Sequence, residues 1–196
     1  MTAAFDELPR TAAWRHEASR EGFEVAFFRT EPSGVRLEGW TTAVEDGEAW
    51  VVAYEIVVDE SWRTRSARVW ARSRSGEHRV RVQADGSGRW LIDGAAADDL
   101  DGCIDVDLES SACTNMLPVH RLGLGEGDSG ESPAVYVRAL DLSVERLEQS
   151  YLRVAADDDT TRRFHYSVPR FDYDDDLVYD SRGLVLHYPG IAARIL

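Results

Sequence analysis

Apolar positions in this chain recur at every second residue. Trp50, Val52, Tyr54, Ile56 and Val58 fall on one side, and Val51, Ala53, Glu55 and Val57 on the other. That is the alternation of a β-strand, not the 3.6-residue repeat of a helix. Turn-forming clusters break the pattern at short intervals: Pro32-Ser33-Gly34, Asp46-Gly47, Ser75-Gly76, Asp85-Gly86, Ser129-Gly130 and Arg182-Gly183. The spacing predicts a mainly β, antiparallel domain. Helix is expected only in short pieces, one of them at residues 95–100. Heptads, linkers and internal repeats are absent from the sequence, and residues 1–196 suit one domain large enough to bury a core. The acidic runs Asp157-Asp158-Asp159 and Asp174-Asp175-Asp176 read as solvated loops between strands.

One hairpin can be put in register from the pattern. With Ser75-Gly76 at the turn, Ala71 faces Val80, Val69 faces Val82 and Ala67 faces Ala84. On the other side Arg72 opposes Arg79, Trp70 opposes Arg81 and Arg68 opposes Gln83. Apolar meets apolar throughout. From Arg63 to Arg89 there are eight arginines against two acids, Glu77 and Asp85, a local charge of +6 in a chain of net −14. The remainder therefore carries −20. Acids on neighbouring strands, with Trp70 stacked under Arg81, could balance this face. The sharper alternative is a face that holds an anion.

The charge excludes some partners. An acidic chain is poorly suited to phosphate backbones, so nucleic acid is not expected. All 22 basic residues are arginine. Cys103 and Cys113 are the only cysteines, too few for a disulfide scaffold, and a reducing compartment is expected. The opening MTAAFDELPR has no apolar core of a signal peptide, and no stretch of 18 apolar residues occurs. A cytoplasmic protein without a membrane span is the expectation. Six tryptophans and seven tyrosines serve a core, and such rings can also stack on sugars or line a lipid cleft.

Residues 100–122, LDGCIDVDLESSACTNMLPVHRL, fit a plain strand least well. Asp101, Asp105 and Asp107 alternate with Ile104, Val106 and Leu108, a short strand with one polar face. A turn-prone Glu109-Ser110-Ser111 follows, then Thr114-Asn115-Met116-Leu117-Pro118 and His120-Arg121. Asn115 can bond its own backbone and Pro118 removes a donor, so the segment reads as irregular and in need of tertiary partners. Charges within a sheet must be paired, which sets Asp105 or Asp107 against Arg63, Arg65 or Arg121. Asp105, Asp107 and His120 are also metal-ligand types, but no HExxH occurs and no second histidine lies nearby. No metal, no cofactor and no catalytic residue is expected. A Cys113–His120 nucleophile would rest on nearness in sequence alone.

Several of these stretches, in order, resemble the putative glycolipid-binding family of bacterial proteins. They are Tyr54 to Asp59, Trp62-Arg63-Thr64-Arg65, GRWLIDG from Gly88, GCIDVDL with TN-LP-RL, Gln149-Ser150-Tyr151, Gly183-Leu184-Val185 and Tyr188-Pro189. Ser111-Ala112-Cys113 departs from the Thr-Pro-Phe expected there. The resemblance implies a spiral β-roll, a strongly curved sheet forming an incomplete barrel, similar in architecture to bacterial lipoprotein carriers. It further implies a non-enzymatic protein that holds a lipid-like or glycolipid-like ligand on its concave face. The acyl chains would lie on the apolar inner surface. The head group would meet Arg63, Arg65 or Arg121, and Trp62, Asp105, Asp107, Asn115 and His120 complete the candidate ligand contacts.

Two other classes stay open. An enzyme acting on a small polar substrate would use Asp105, Asp107 and His120. A scaffold would pair through an exposed sheet edge. A deep apolar cavity favours the carrier, converging carboxylates and histidine favour the enzyme, and a long uncovered edge favours the scaffold.

Overall fold

The computed structural model describes residues 5–18, 20–156, 158 and 160–196. The first half of the chain is a run of strands: β1 (Thr11–His16), β2 (Arg20–Glu31), β3 (Gly34–Glu45), β4 (Glu48–Asp59), β5 (Thr64–Ser73), β6 (Gly76–Ala84), β7 (Trp90–Ile92) and β8 (Ala95–Ala96). A middle portion follows, with β9 (Asp105–Leu108), helix α1 (Met116–Leu122), β10 (Ser129–Glu131), β11 (Ala134–Val137) and β12 (Val144–Leu147). The chain then continues through β13 (Ser150–Val154), β14 (Arg162–Val168), β15 (Tyr173–Tyr179), β16 (Val185–Tyr188) and β17 (Ala192–Arg194). Fourteen strands form one antiparallel sheet in the order β10-β13-β14-β15-β16-β17-β1-β2-β3-β4-β5-β6-β7-β8. Pairing of β1 with β17 joins the two halves. β12, β11 and β9 form a second, small sheet, in which β9 runs parallel to β11.

Local chemistry accounts for the long meander. At Asp46-Gly47 both residues have positive φ, 50° and 76°. A two-residue turn of that kind matches the twist of its strands. Along β4 the inward Trp50, Val52, Tyr54, Ile56 and Val58 are all buried, as the alternation predicts. Gly39 faces Tyr54 across β3 and β4. A Cβ on Gly39 would stand 2.1 Å from the tyrosine ring, so the missing side chain is what lets that ring lie flat on the sheet.

Two clusters form the core. The strands of the first half bury Trp14, Leu37 and Ile56 with Leu108, Met116 and Leu117 of the middle portion. The second half buries Phe164, Tyr166 and Tyr179 with Val119 and Leu147. Both halves of the sheet therefore pack on opposite sides of α1 and the small sheet, so the sheet must curve around them. The inner face is filled by these side chains, and the sizeable cavities lie at its margins.

Several local expectations need correcting. The β5–β6 register is offset by two: Val69 faces Val80, Trp70 faces Arg79 and Arg72 faces Glu77. The turn is Arg74-Ser75, and the shift sets Arg72 against a carboxylate at 3.2 Å instead of another arginine. Trp70 has no cation over its ring among the described residues. Asp174-Asp175-Asp176 lies within β15, not in a loop, with His165 paired to Asp174 and, at 3.0 Å, to Asp176. Ser129-Gly130 lies in β10. Residues 95–100 make a two-residue strand and a 3-10 turn at Asp98–Leu100. The segment read as irregular makes a 3-10 turn at Cys113–Asn115 that leads into α1. Pro118 sits in the first helical turn, where its missing N–H is not needed. Of the other acidic run, Asp157 and Asp159 lie outside the described residues. Cys103 and Cys113 are both buried and free.

Candidate functional site

β9 has small-sheet, helix and large-sheet neighbours, and all four of its residues are buried. Its alternation turns Asp105 and Asp107 to one side. Arg121 of α1 meets Asp105 with Nε 3.0 Å from both carboxylate oxygens and Nη2 2.6 Å from Oδ2. The Ser132 hydroxyl donates to the same carboxylate at 2.8 Å and accepts from Arg121. This is the expected carboxylate–arginine pair, and it fixes the helix to β9.

Asp107 has a different environment. The Thr114 hydroxyl donates to its Oδ1 at 2.8 Å, and it makes no ion pair among the described residues. Burial, helped by the charge of Asp105, pushes its carboxyl up to about 6 against the Thr114 hydrogen bond. It lines a cavity of about 300 Å³ with Arg20, Asn115, Tyr136, Tyr166 and Tyr188 among the walls. Asn115 Oδ1 accepts the Tyr151 hydroxyl at 2.9 Å. Gln149 accepts that of Tyr166 at 2.5 Å. The tyrosine rings pack on one another, with Tyr166 and Tyr188 edge to face at 5.9 Å.

Ser111, on the same cavity, is held from below by Glu24. This glutamate points inward from β2 and is fully buried. It accepts from the Ser111 hydroxyl, from Tyr54 at 2.7 Å and from the backbone N–H of Ala112 at 2.8 Å and Cys113 at 3.3 Å. Burial raises its pKa and these donors oppose the rise. The Ser111-Ala112-Cys113 segment is thus tied to the large sheet by one carboxyl group.

Trp62 and His120 belong to another cavity, of about 530 Å³, near the C-terminal end of α1. Trp62 closes the β4–β5 turn with φ of 62°. Its ring stacks on His120 at 3.9 Å, and Phe5 covers the other side at 4.2 Å. Burial keeps the imidazole low, at about 4. Arg63 and Arg65 are exposed elsewhere and donate to the carbonyls of Gly86 at 3.2 Å and Asp85 at 2.8 Å.

The candidate residues therefore separate. Asp107 and Asn115 share one cavity, Trp62 and His120 share another, Asp105 pairs with Arg121, and Arg63 and Arg65 brace an outer loop. Glu24, Arg20 and the tyrosine walls escaped the sequence reading. Their one visible signal was the number of tyrosines, which says nothing about where each ring points. Among the described residues no three His, Cys, Asp or Glu side chains are grouped to hold a metal, and no helix is long and apolar enough to cross a membrane. A carboxyl, an amide and hydroxyls among ring faces can accept hydrogen bonds from a polyol while covering its C–H surfaces.

A family model described as Putative glycolipid-binding matches residues 11–194. No curated protein matches the chain. Among solved structures, a DUF1089 family protein from Pseudomonas aeruginosa is 30% identical, with 93% of this chain and 95% of that one covered and a TM-score of 0.75. A β-barrel-like protein of the domain of unknown function DUF1849 from Brucella abortus is 11% identical, covers 97% and 96%, and has a TM-score of 0.52, a likeness of fold.

Proposed function

The chain belongs to the Putative glycolipid-binding family, and on that premise we propose that it is a non-enzymatic binding protein for a glycolipid-like amphiphile whose sugar enters the Asp107 cavity. The carrying observation is a buried carboxyl that makes no ion pair among the described residues, facing a cavity walled by tyrosines and Arg20. Asp105 on the same strand is paired with Arg121, whereas Asp107 is held by the Thr114 hydroxyl. An ionised Asp107 is a strong acceptor for sugar hydroxyls, and Tyr136, Tyr166 and Tyr188 offer ring surface to the sugar's C–H faces. At about 300 Å³ the cavity is at the small end for ligand sites. It suits one sugar ring rather than a lipid chain. Leu147, Val168 and Ile191 on its walls, with Phe171 half-exposed, give the first carbons of a chain an apolar path.

Arg20 on the cavity wall donates to the Glu109 carbonyl at 3.1 Å and lies 3.8 Å from Glu45, and it is the cation of this wall that an anionic substituent on the head group would meet. Arg121 acts through Asp105, by holding α1 against β9. Arg63 and Arg65 serve a ligand only where an anionic group reaches the outer loop. A second reading, hydrolysis of the same sugar derivative, is favoured by the Asp107 carboxyl at about 6, a value suited to proton transfer near neutrality. Native mass spectrometry of protein purified from its own host tests the binding reading. A co-purifying glycolipid, lost in Asp107→Ala, supports it. A mass of the bare chain under conditions that preserve added alkyl glycosides counts against it. Release of free sugar from such glycosides would replace it with the hydrolytic reading.

A further inference from the structure

We propose that the outer face of strands β1 to β5 is a docking surface for an anionic lipid bilayer. Part of this face is apolar where a sheet's solvent side is usually polar, with Glu38 and Glu21 at its border. Phe23 and Phe27 on β2 and Trp40 and Val44 on β3 are each about half exposed, at 50%, 47%, 47% and 49%. Phe27 and Trp40 meet edge to face at 5.9 Å. The pairing extends this patch into a cross-strand row without a charge, Ala13–Val25–Trp40–Ala53–Trp70. The inner face of the same strands is the core, so the outer rings are not needed to hold the fold.

The edge of the row carries the charge that selects the occupant. Trp70 faces Arg79 on β6, with Arg81 two residues on. Both are exposed and make no ion pair among the described residues. Of the acids nearby, Glu55 is paired with Arg36 at 2.9 Å and Arg68 at 3.2 Å, and Glu77 with Arg72 at 3.2 Å. Glu38, opposite Phe27, makes no ion pair among the described residues, and Asp93 accepts the backbone N–H of Arg81 at 2.8 Å. This hairpin lies in the stretch of +6, while the rest of the chain carries −20. An anionic surface can therefore approach this face and is repelled elsewhere. Tryptophan and phenylalanine partition to the headgroup boundary, and arginines beside them meet lipid phosphates. Four strand spacings by two pleats give a patch of roughly 260 Å². A stable dimer needs about 800 Å² per partner, so a second copy is the poorer occupant. The inference is independent of the Asp107 cavity.

Flotation with vesicles of phosphatidylcholine alone, and of phosphatidylcholine mixed with phosphatidylglycerol, tests it. The protein should float with the mixed vesicles and not with the neutral ones, and added salt should weaken the binding. Phe27→Ser with Trp40→Ser should reduce binding at least tenfold. These positions lie on the solvent side, and unchanged circular dichroism will show the variant folded. Arg79→Glu with Arg81→Glu should do the same without touching the apolar patch. Absence of flotation with anionic vesicles, or equal flotation of both variants, overturns the proposal. So does a dimer in analytical ultracentrifugation that the Phe27/Trp40 variant dissociates.

Discussion

Asp105 and Asp107 stand two residues apart on the same side of β9, and among the described residues Asp105 has an arginine partner while Asp107 has none. Their difference separates a carboxylate that ties α1 to β9 from one that faces a cavity. Arg121 grips Asp105 through two nitrogens with Ser132 completing the set, whereas Asp107 has a threonine hydroxyl and a cavity.

Removing either member of the paired set leaves an uncompensated charge in a buried place. Asp105→Ala or Arg121→Ala should lower stability by ~3–5 kcal/mol. Urea unfolding followed by tryptophan fluorescence measures it. A loss below about 1 kcal/mol would mean that the pair is solvated and does not hold α1 to β9.

Asp107 should behave in the opposite way. Its folded pKa of about 6 lies above the ordinary value of 3.8. The favourable contribution is full below 3.8 and is lost as pH rises through 6, because the folded state must then ionise a buried group. Asp107→Asn escapes that loss. The variant should be more stable than the natural protein by about 3 kcal/mol at pH 7 to 8, with the gap closing toward pH 4. An Asn variant less stable at neutral pH would show that the ionised carboxylate is a structural element.

The histidines set the acid limit. His16 and His120 are both held at about 4 by burial, below the usual 6.5. Such groups stabilise the fold above pH 6.5, and the contribution is lost as pH falls toward 4. Asp107 opposes this over much of the same window. The acid loss should therefore be steeper in Asp107→Asn and shallower in His120→Phe. Chemical denaturation at half-unit pH steps separates the three proteins, and identical slopes would rule out the assignment.

Glu24 predicts a further effect. Four donors converge on its carboxylate, and a glutamine would turn an NH₂ group toward at least one of them. Glu24→Gln should cost about 3 kcal/mol and should loosen Ser111 at the cavity. Hydrogen exchange at the Ala112 and Cys113 amides reads the second effect directly. Unchanged protection there would separate Glu24 from the site.

The strands were legible because burial follows their alternation, most plainly on β4. β2 shows where that logic stops. Its alternation, read alone, puts Phe23, Val25 and Phe27 inside and Glu24 outside, yet Glu24 is buried and the two phenylalanines are half exposed. The amides that require Glu24 come from a segment almost ninety residues away, and local pattern carries no trace of them. The β5–β6 register missed by one pleat because both registers keep the same faces; the Arg72–Glu77 contact distinguishes them. The Asp105–Arg121 pair was legible from the cost of an unpaired charge. The cavity was not, since its tyrosines arrive from strands distant in sequence and only the fold brings them to Asp107.

The most direct test is calorimetric titration of an alkyl glucoside against an alkanol of equal chain length, with the natural protein and Asp107→Asn. The glucoside should bind the natural protein at least tenfold more tightly than the alkanol. That preference should fall at least tenfold in the folded Asn variant, and in the natural protein as pH drops below 6. Equal affinity for glucoside and alkanol, or a preference that survives Asp107→Asn, would contradict a sugar site in this cavity.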